Sequence, residues 1–138
     1  MNRQQKLRSG LGFAILLALT LAGPCAAAAE PATAVIAKYD KDGDKSLDWN
    51  EVESAAGARF DKLNKDADGT LDSKEVRGVI GPATFQDADT DHDGTLSKLE
   101  YLALVKKRFK EADTDNDGTV NAKELSSKAG HSLKLLIA

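Results

Sequence analysis

Hydrophobic residues sit at the same offsets around four short polar stretches of this chain. Four residues and one residue before each stretch stand Ile36 and Tyr39, Phe60 and Leu63, Phe85 and Ala88, Phe109 and Ala112. The eighth position inside each stretch is apolar again: Leu47, Leu71, Leu96 and Val120. Only 12, 13 and 12 residues separate successive stretches, too few for two full helices and a linker. The segment YLALVKKRFKEA has no glycine or proline, so one helix of about 15 residues fits between the third stretch and the fourth. At 1.5 Å per residue such a helix holds its two ends about 20 Å apart. VESAAGARFDKL reads in the same way, with Gly57 a tolerated weak point. Between the second stretch and the third, Gly81-Pro82 interrupts the pattern; glycine ends one helix and proline starts another. At the C-terminal end, Leu133, Leu135, Leu136 and Ile137 predict a short amphipathic helix that caps the core.

The polar stretches carry the chemistry. They read DKDGDKSLDWNE from Asp40, NKDADGTLDSKE from Asn64, DTDHDGTLSKLE from Asp89 and DTDNDGTVNAKE from Asp113. Oxygen-bearing side chains recur at the first, third and fifth positions, and a glutamate closes each at the twelfth. A hard cation that takes six to eight oxygens at about 2.3–2.6 Å needs such a wrap. A glutamate that chelates through both oxygens suits Ca²⁺ better than Mg²⁺, which demands a strict octahedron. A transition metal is not expected, because His92 lies at a non-ligand position and His131 stands alone near the C-terminus.

These stretches resemble the loops of the EF-hand family, whose pattern is D-x-[DN]-x-[DN]-G-x5-E. Four matches in register, at 40–51, 64–75, 89–100 and 113–124, make coincidence negligible. The resemblance implies an all-α fold: an EF-hand-like helix-loop-helix array with four calcium loops, short β-bridges between paired loops through the eighth position, and shared inter-loop helices. It also implies the ligands. The third site would use Asp89, Asp91, Asp93, the Thr95 carbonyl, Ser97 and Glu100. The fourth would use Asp113, Asp115, Asp117, the Thr119 carbonyl, Asn121 and Glu124. Both keep glycine, Gly94 or Gly118, at the sixth position, where the chain turns sharply. The second offers Asn64, Asp66, Asp68, the Thr70 carbonyl, Asp72 and Glu75, one carboxylate fewer, and is expected to be weaker.

The first site has Asp40, Asp42, Asp44, the Ser46 carbonyl, Asp48 and Glu51. Lys45 stands there where glycine is expected, and Gly43 comes two places early. A non-glycine residue in the left-handed region costs about 1–2 kcal/mol, close to a tenfold loss of affinity. The four loops lie symmetrically about residue 82, so loops two and three are expected to pair, with loops one and four meeting at the far end.

Composition narrows the setting. Arg3, Lys6 and Arg8 precede an uncharged apolar run, Leu11 to Ala22, followed by the small residues Ala26 to Ala29. That order reads as a secretory signal peptide over 1–29, too short in its apolar part to span a bilayer. The expected product is one domain over 30–138, exported to the periplasm or secreted. Cys25 as an acylated lipoprotein anchor fits less well, because Pro24 intervenes before it. Cleavage after Ala28 or Ala29 leaves no cysteine, so no disulfide framework is expected, and bound metal becomes the natural stabiliser.

The same cut moves the formal charge from −3 to −6, and 15 of the 22 acids occupy the first, third, fifth or twelfth loop positions. No basic stripe suggests nucleic acid as a partner. No catalytic set appears outside the loops, so an enzyme is not expected. Family members that switch expose a methionine-rich groove, and Met1 is the only methionine. The composition therefore favours a calcium-stabilised buffer or sensor. The alternative is a calcium-dependent interaction module that docks an envelope or extracellular protein.

Overall fold

A computed structural model describes residues 30–138. The signal-peptide and Cys25 readings fall outside the described residues. Six helices and four very short strands follow one another: α1 (Ala32–Tyr39), β1 (Ser46–Asp48), α2 (Trp49–Leu63), β2 (Thr70–Leu71), α3 (Pro82–Ala88), β3 (Leu96–Ser97), α4 (Lys98–Ala112), β4 (Thr119–Asn121), α5 (Ala122–Leu125) and α6 (Lys128–Ile137). Among the described residues no helix is long and apolar enough to cross a membrane.

The two long helices repeat each other. α2 buries Val52, Ala55, Ala56, Phe60 and Leu63, and α4 buries Tyr101, Leu104, Val105, Phe109 and Ala112, the same offsets in each. That spacing puts one apolar stripe on each rod, and the stripes face each other across the core. Two edge-to-face aromatic pairs join them, Phe60 with Tyr101 at 5.6 Å and Trp49 with Phe109 at 5.8 Å. Each helix serves two loops, leaving one and entering the next, as the short inter-loop spacing requires.

Both rods start on a reciprocal cap. Asp48 accepts from the Glu51 N–H while the Glu51 side chain accepts from the Asp48 N–H, and Ser97 with Glu100 repeats the exchange. Two of the four orphan N–H groups at each helix start are thereby satisfied. The far ends finish alike. The first residue of every loop donates its N–H to the carbonyl of the apolar residue four before it: Asp40 to Ile36, Asn64 to Phe60, Asp89 to Phe85 and Asp113 to Phe109, at 2.8–2.9 Å.

The strands pair across the molecule, not between chain neighbours. β1 runs antiparallel to β4, with Ser46 opposite Asn121, Leu47 opposite Val120 and Asp48 opposite Thr119. β2 pairs with β3, Thr70 opposite Ser97 and Leu71 opposite Leu96. These are the partners expected from the symmetric spacing, and all four eighth-position side chains are fully buried. Loops one and four thus share one end of the molecule, and loops two and three the other.

The tail forms α6, which packs on α4, α5 and α2. Leu133, Leu136 and Ile137 enter the core, and the buried Tyr101 hydroxyl donates to the Leu136 carbonyl at 2.8 Å. Leu135, expected in the same capping set, is instead 37% exposed; three residues of helix separate it from neither buried face. Gly130 lets α6 lie directly on the preceding helix, because a Cβ there would run into the Glu124 carbonyl and the Leu125 backbone.

The connection after loop two also departs from expectation. The helix expected to end at Gly81 makes barely one turn, with the Val76 N–H on the Asp72 carbonyl and the Ile80 N–H on the Val76 carbonyl. Gly78 at φ +84° breaks it first. Gly81 is extended and forms the N-cap of α3, with Pro82 at its first turn.

Candidate metal centres

The loop backbone has a shape that the spelling only half reveals. In each loop two residues take positive φ, at the fourth and sixth positions: Gly43 and Lys45, Ala67 and Gly69, His92 and Gly94, Asn116 and Gly118. Each loop therefore holds one glycine and one side-chain-bearing residue in the left-handed region. Loop one merely exchanges the two. Lys45 at φ 69° is strained, but Gly43 relieves the place where Ala67, His92 and Asn116 carry the same strain. The expected tenfold penalty on loop one does not distinguish it from the other three.

Carboxylates converge in three of the loops. Asp40, Asp42 and Glu51 bring one oxygen each within 4.8 Å of one another, as do Asp89, Asp91 and Glu100, and Asp113, Asp115 and Glu124. Loop two, with Asn64 first, forms no such carboxylate trio among the described residues. The fifth-position aspartates are held inside their loops instead. Asp44, Asp68, Asp93 and Asp117 each accept from the N–H two residues on, at 2.8 Å. The hydroxyls of Ser46, Thr70, Thr95 and Thr119 reach the same oxygens.

The first position differs between loops in a telling way. One Asp oxygen accepts from the sixth-position N–H: Lys45 to Asp40 at 3.0 Å, Gly94 to Asp89 at 3.0 Å and Gly118 to Asp113 at 3.1 Å. Asn64 offers an amide nitrogen where a second oxygen would be, and among the described residues no bond joins Gly69 to it. The other oxygen points inward. Oδ1 of Asp89 and Oδ1 of Asn64 are buried without any hydrogen-bond partner. A buried carboxylate oxygen with no donor is costly, and a cation at that place removes the cost. The donor sets are all hard oxygen and fit calcium chemistry.

The twelfth position closes every loop. Each glutamate accepts from the second-position N–H through Oε1 and from the ninth-position N–H through Oε2: Glu51 from Lys41 and Asp48, Glu75 from Lys65 and Asp72, Glu100 from Thr90 and Ser97, Glu124 from Thr114 and Asn121. These bonds shift acidities. The Ser97 N–H, with further donors from Thr90, holds Glu100 down at about 2. For Glu124 burial pushes upward, but the donors from Asn121 and Thr114 together outweigh it and the net shift is down. The Gly43 N–H lowers Asp40. The Asp44 N–H pulls Asp42 down, yet burial and the charges of Asp44 and Glu51 leave it raised.

The ninth-position residues, expected as ligands, act as helix caps. Side-chain oxygens of Asp48, Asp72, Ser97 and Asn121 accept from the N–H of the glutamate three residues on. The spelling D/S/N-x-x-E announces this box. Sequence reasoning missed Thr90 and Thr114 altogether, because the second position carries no pattern. Their hydroxyls donate to Glu100 and Glu124 at 2.8 and 3.0 Å.

The EF hand family model matches residues 83–106 and again 104–127, which take in the third and fourth loops with their entering helices. The chain carries EF hands. No curated protein matches it significantly. The first two loops, outside the matched spans, repeat the backbone and glutamate closure of the EF hands in the second half. The acidic groups in loops one, three and four are consistent with calcium binding.

Proposed function

We propose that the protein is an exported calcium-binding protein, a calcium-stabilised buffer or sensor of the periplasm or extracellular medium. The buried Oδ1 of Asp89, without a donor beside Asp91 and Glu100, carries this reading. Ca²⁺ would sit between the first, third, fifth and twelfth side chains of each loop and the seventh-position carbonyl, with the ninth residue reaching it through water. Loops one, three and four would bind most readily and loop two less so. The export part of the reading rests on residues 1–29.

Calorimetry on the chain lacking those 29 residues tests the binding. Uptake of three or four ions is expected, with one event lost in each of Glu100→Gln and Glu124→Gln. No uptake at millimolar calcium would overturn it. Periplasmic fractionation of the full chain checks the location. The second reading, a calcium-dependent interaction module, is favoured by Leu99. This side chain is 80% exposed on the rim of a concavity of about 380 Å³ between α3 and α4. A pulldown from periplasm or medium, with and without calcium, separates the two readings.

A further inference from the structure

Building on the calcium reading above, we infer that the hydroxyls of Thr90 and Thr114 are positioning groups that hold Glu100 and Glu124 when no ion is bound. They also compete with the ion for those carboxylates, which loosens binding at loops three and four. The four closing glutamates are not equally engaged. An ionised carboxylate has about four lone-pair sites. Glu51 and Glu75 each accept two backbone N–H groups and keep the rest free. Glu124 accepts three donors, the third being the Thr114 hydroxyl at 3.0 Å.

Glu100 accepts four donors. The N–H and hydroxyl of Thr90 both reach Oε1 at 2.8 Å, and the N–H and hydroxyl of Ser97 reach Oε2 at 2.9 and 2.8 Å. Loops one and two have lysine at the second position, and Lys41 extends away from Glu51 to the Ser54 hydroxyl at 3.2 Å.

The two kinds of donor respond differently to an arriving ion. A backbone N–H cannot leave without unwinding the loop, whereas a hydroxyl turns about a single bond. Chelation through both oxygens of Glu100 therefore displaces hydroxyls first, and each displaced bond was made to a charged acceptor. Such a bond is worth enough to change an equilibrium by about tenfold. The hydroxyls hold the glutamate in place without metal and oppose the metal when it comes. Loop three has this competition at both oxygens, loop four at one, and loops one and two at neither.

Thr90→Val keeps the N–H and the side-chain volume and removes only the hydroxyl. The expected result has opposite signs in two measurements. Melting in EGTA falls by roughly 5 °C, while calorimetric calcium affinity at loop three rises about tenfold. Thr90→Ser returns both values to those of the parent chain. Thr114→Val shows the same crossing at loop four with smaller amplitude, and serves if Thr90→Val fails to fold. A purely structural role would lower melting and affinity together; that result, or an unchanged affinity in a parent chain that binds calcium, overturns the inference. A parent chain that takes up no calcium at loops three and four overturns the calcium reading itself, which is a separate outcome.

Discussion

The two ends of this molecule are built from the same parts and finished differently. Where loops one and four meet, the ladder has three residue pairs, and the closing glutamates Glu51 and Glu124 are 6% and 5% exposed. α1, α5 and α6 cover that end, with Lys134 of α6 reaching the Glu30 carbonyl at 3.2 Å. Where loops two and three meet, the ladder has two pairs, and Glu75 and Glu100 are only half-buried. The chain between those loops is a broken turn and the short α3, flanked by a concavity of about 670 Å³ lined by Val76, Ile80, Pro82, Phe85 and Leu135. The same loop spelling can therefore sit in a sealed or an open frame, and what encloses it decides how firmly it is held.

Chelation is the strongest way to break this comparison. An ion held at a hundred times its dissociation constant adds ~2.7 kcal/mol per site to the folded state. Excess EGTA should therefore lower the melting temperature by the largest margin of any test described. Hydrogen exchange under those conditions should reach the β2–β3 amides before the β1–β4 amides; simultaneous exchange would mean the two ends do not differ.

Gly130→Ala attacks the sealed end alone. A methyl there meets the Glu124 carbonyl and the Leu125 backbone, and overpacking of this kind costs about 1–3 kcal/mol. Alanine is otherwise the better helix former by up to ~1 kcal/mol, so a stabilised variant in thermal melts would contradict the close contact between α5 and α6.

Asn64→Asp sharpens the comparison from the open end. It supplies an acceptor for the Gly69 N–H and a third carboxylate beside Asp66 and Glu75. Calcium affinity at loop two should rise about tenfold, the scale of one hydrogen bond to a charged group, as read by calorimetry. The smallest effect belongs to Lys45→Gly. It relieves the positive φ in loop one and should raise stability by about 1 kcal/mol or less in denaturant unfolding, because glycine also gives the unfolded chain more freedom.

Much of the fold was legible because its causes are local. The apolar residue four before each loop marks where a helix ends, since its carbonyl takes the N–H of the loop's first residue. The short spacing left room for one shared rod between loops one and two and between loops three and four. The symmetry about residue 82 pointed to the strand partners. What escaped depends on contacts distant in sequence or on one backbone angle. Nothing in the spelling of Gly130 says that α6 will lie on Leu125. Gly78 ended the turn three residues ahead of the Gly-Pro pair that looked like the break. Within the candidate sites, the ligand pattern drew the ninth residues into a metal role although their spacing to glutamate also spells a helix cap. It passed over Thr90 and Thr114 because no family letter stands at their position. Lys45 looked misplaced only while the fourth position was taken to be ordinary backbone.

The alternation of rods and ladders has a mechanical outcome. α2 joins loop one to loop two, β2–β3 joins two to three, α4 joins three to four, and β4–β1 brings four back to one. The result is a closed circuit in which no loop is terminal. Severing any single link leaves a string with all four still attached, so a local fault at one link need not isolate any of them.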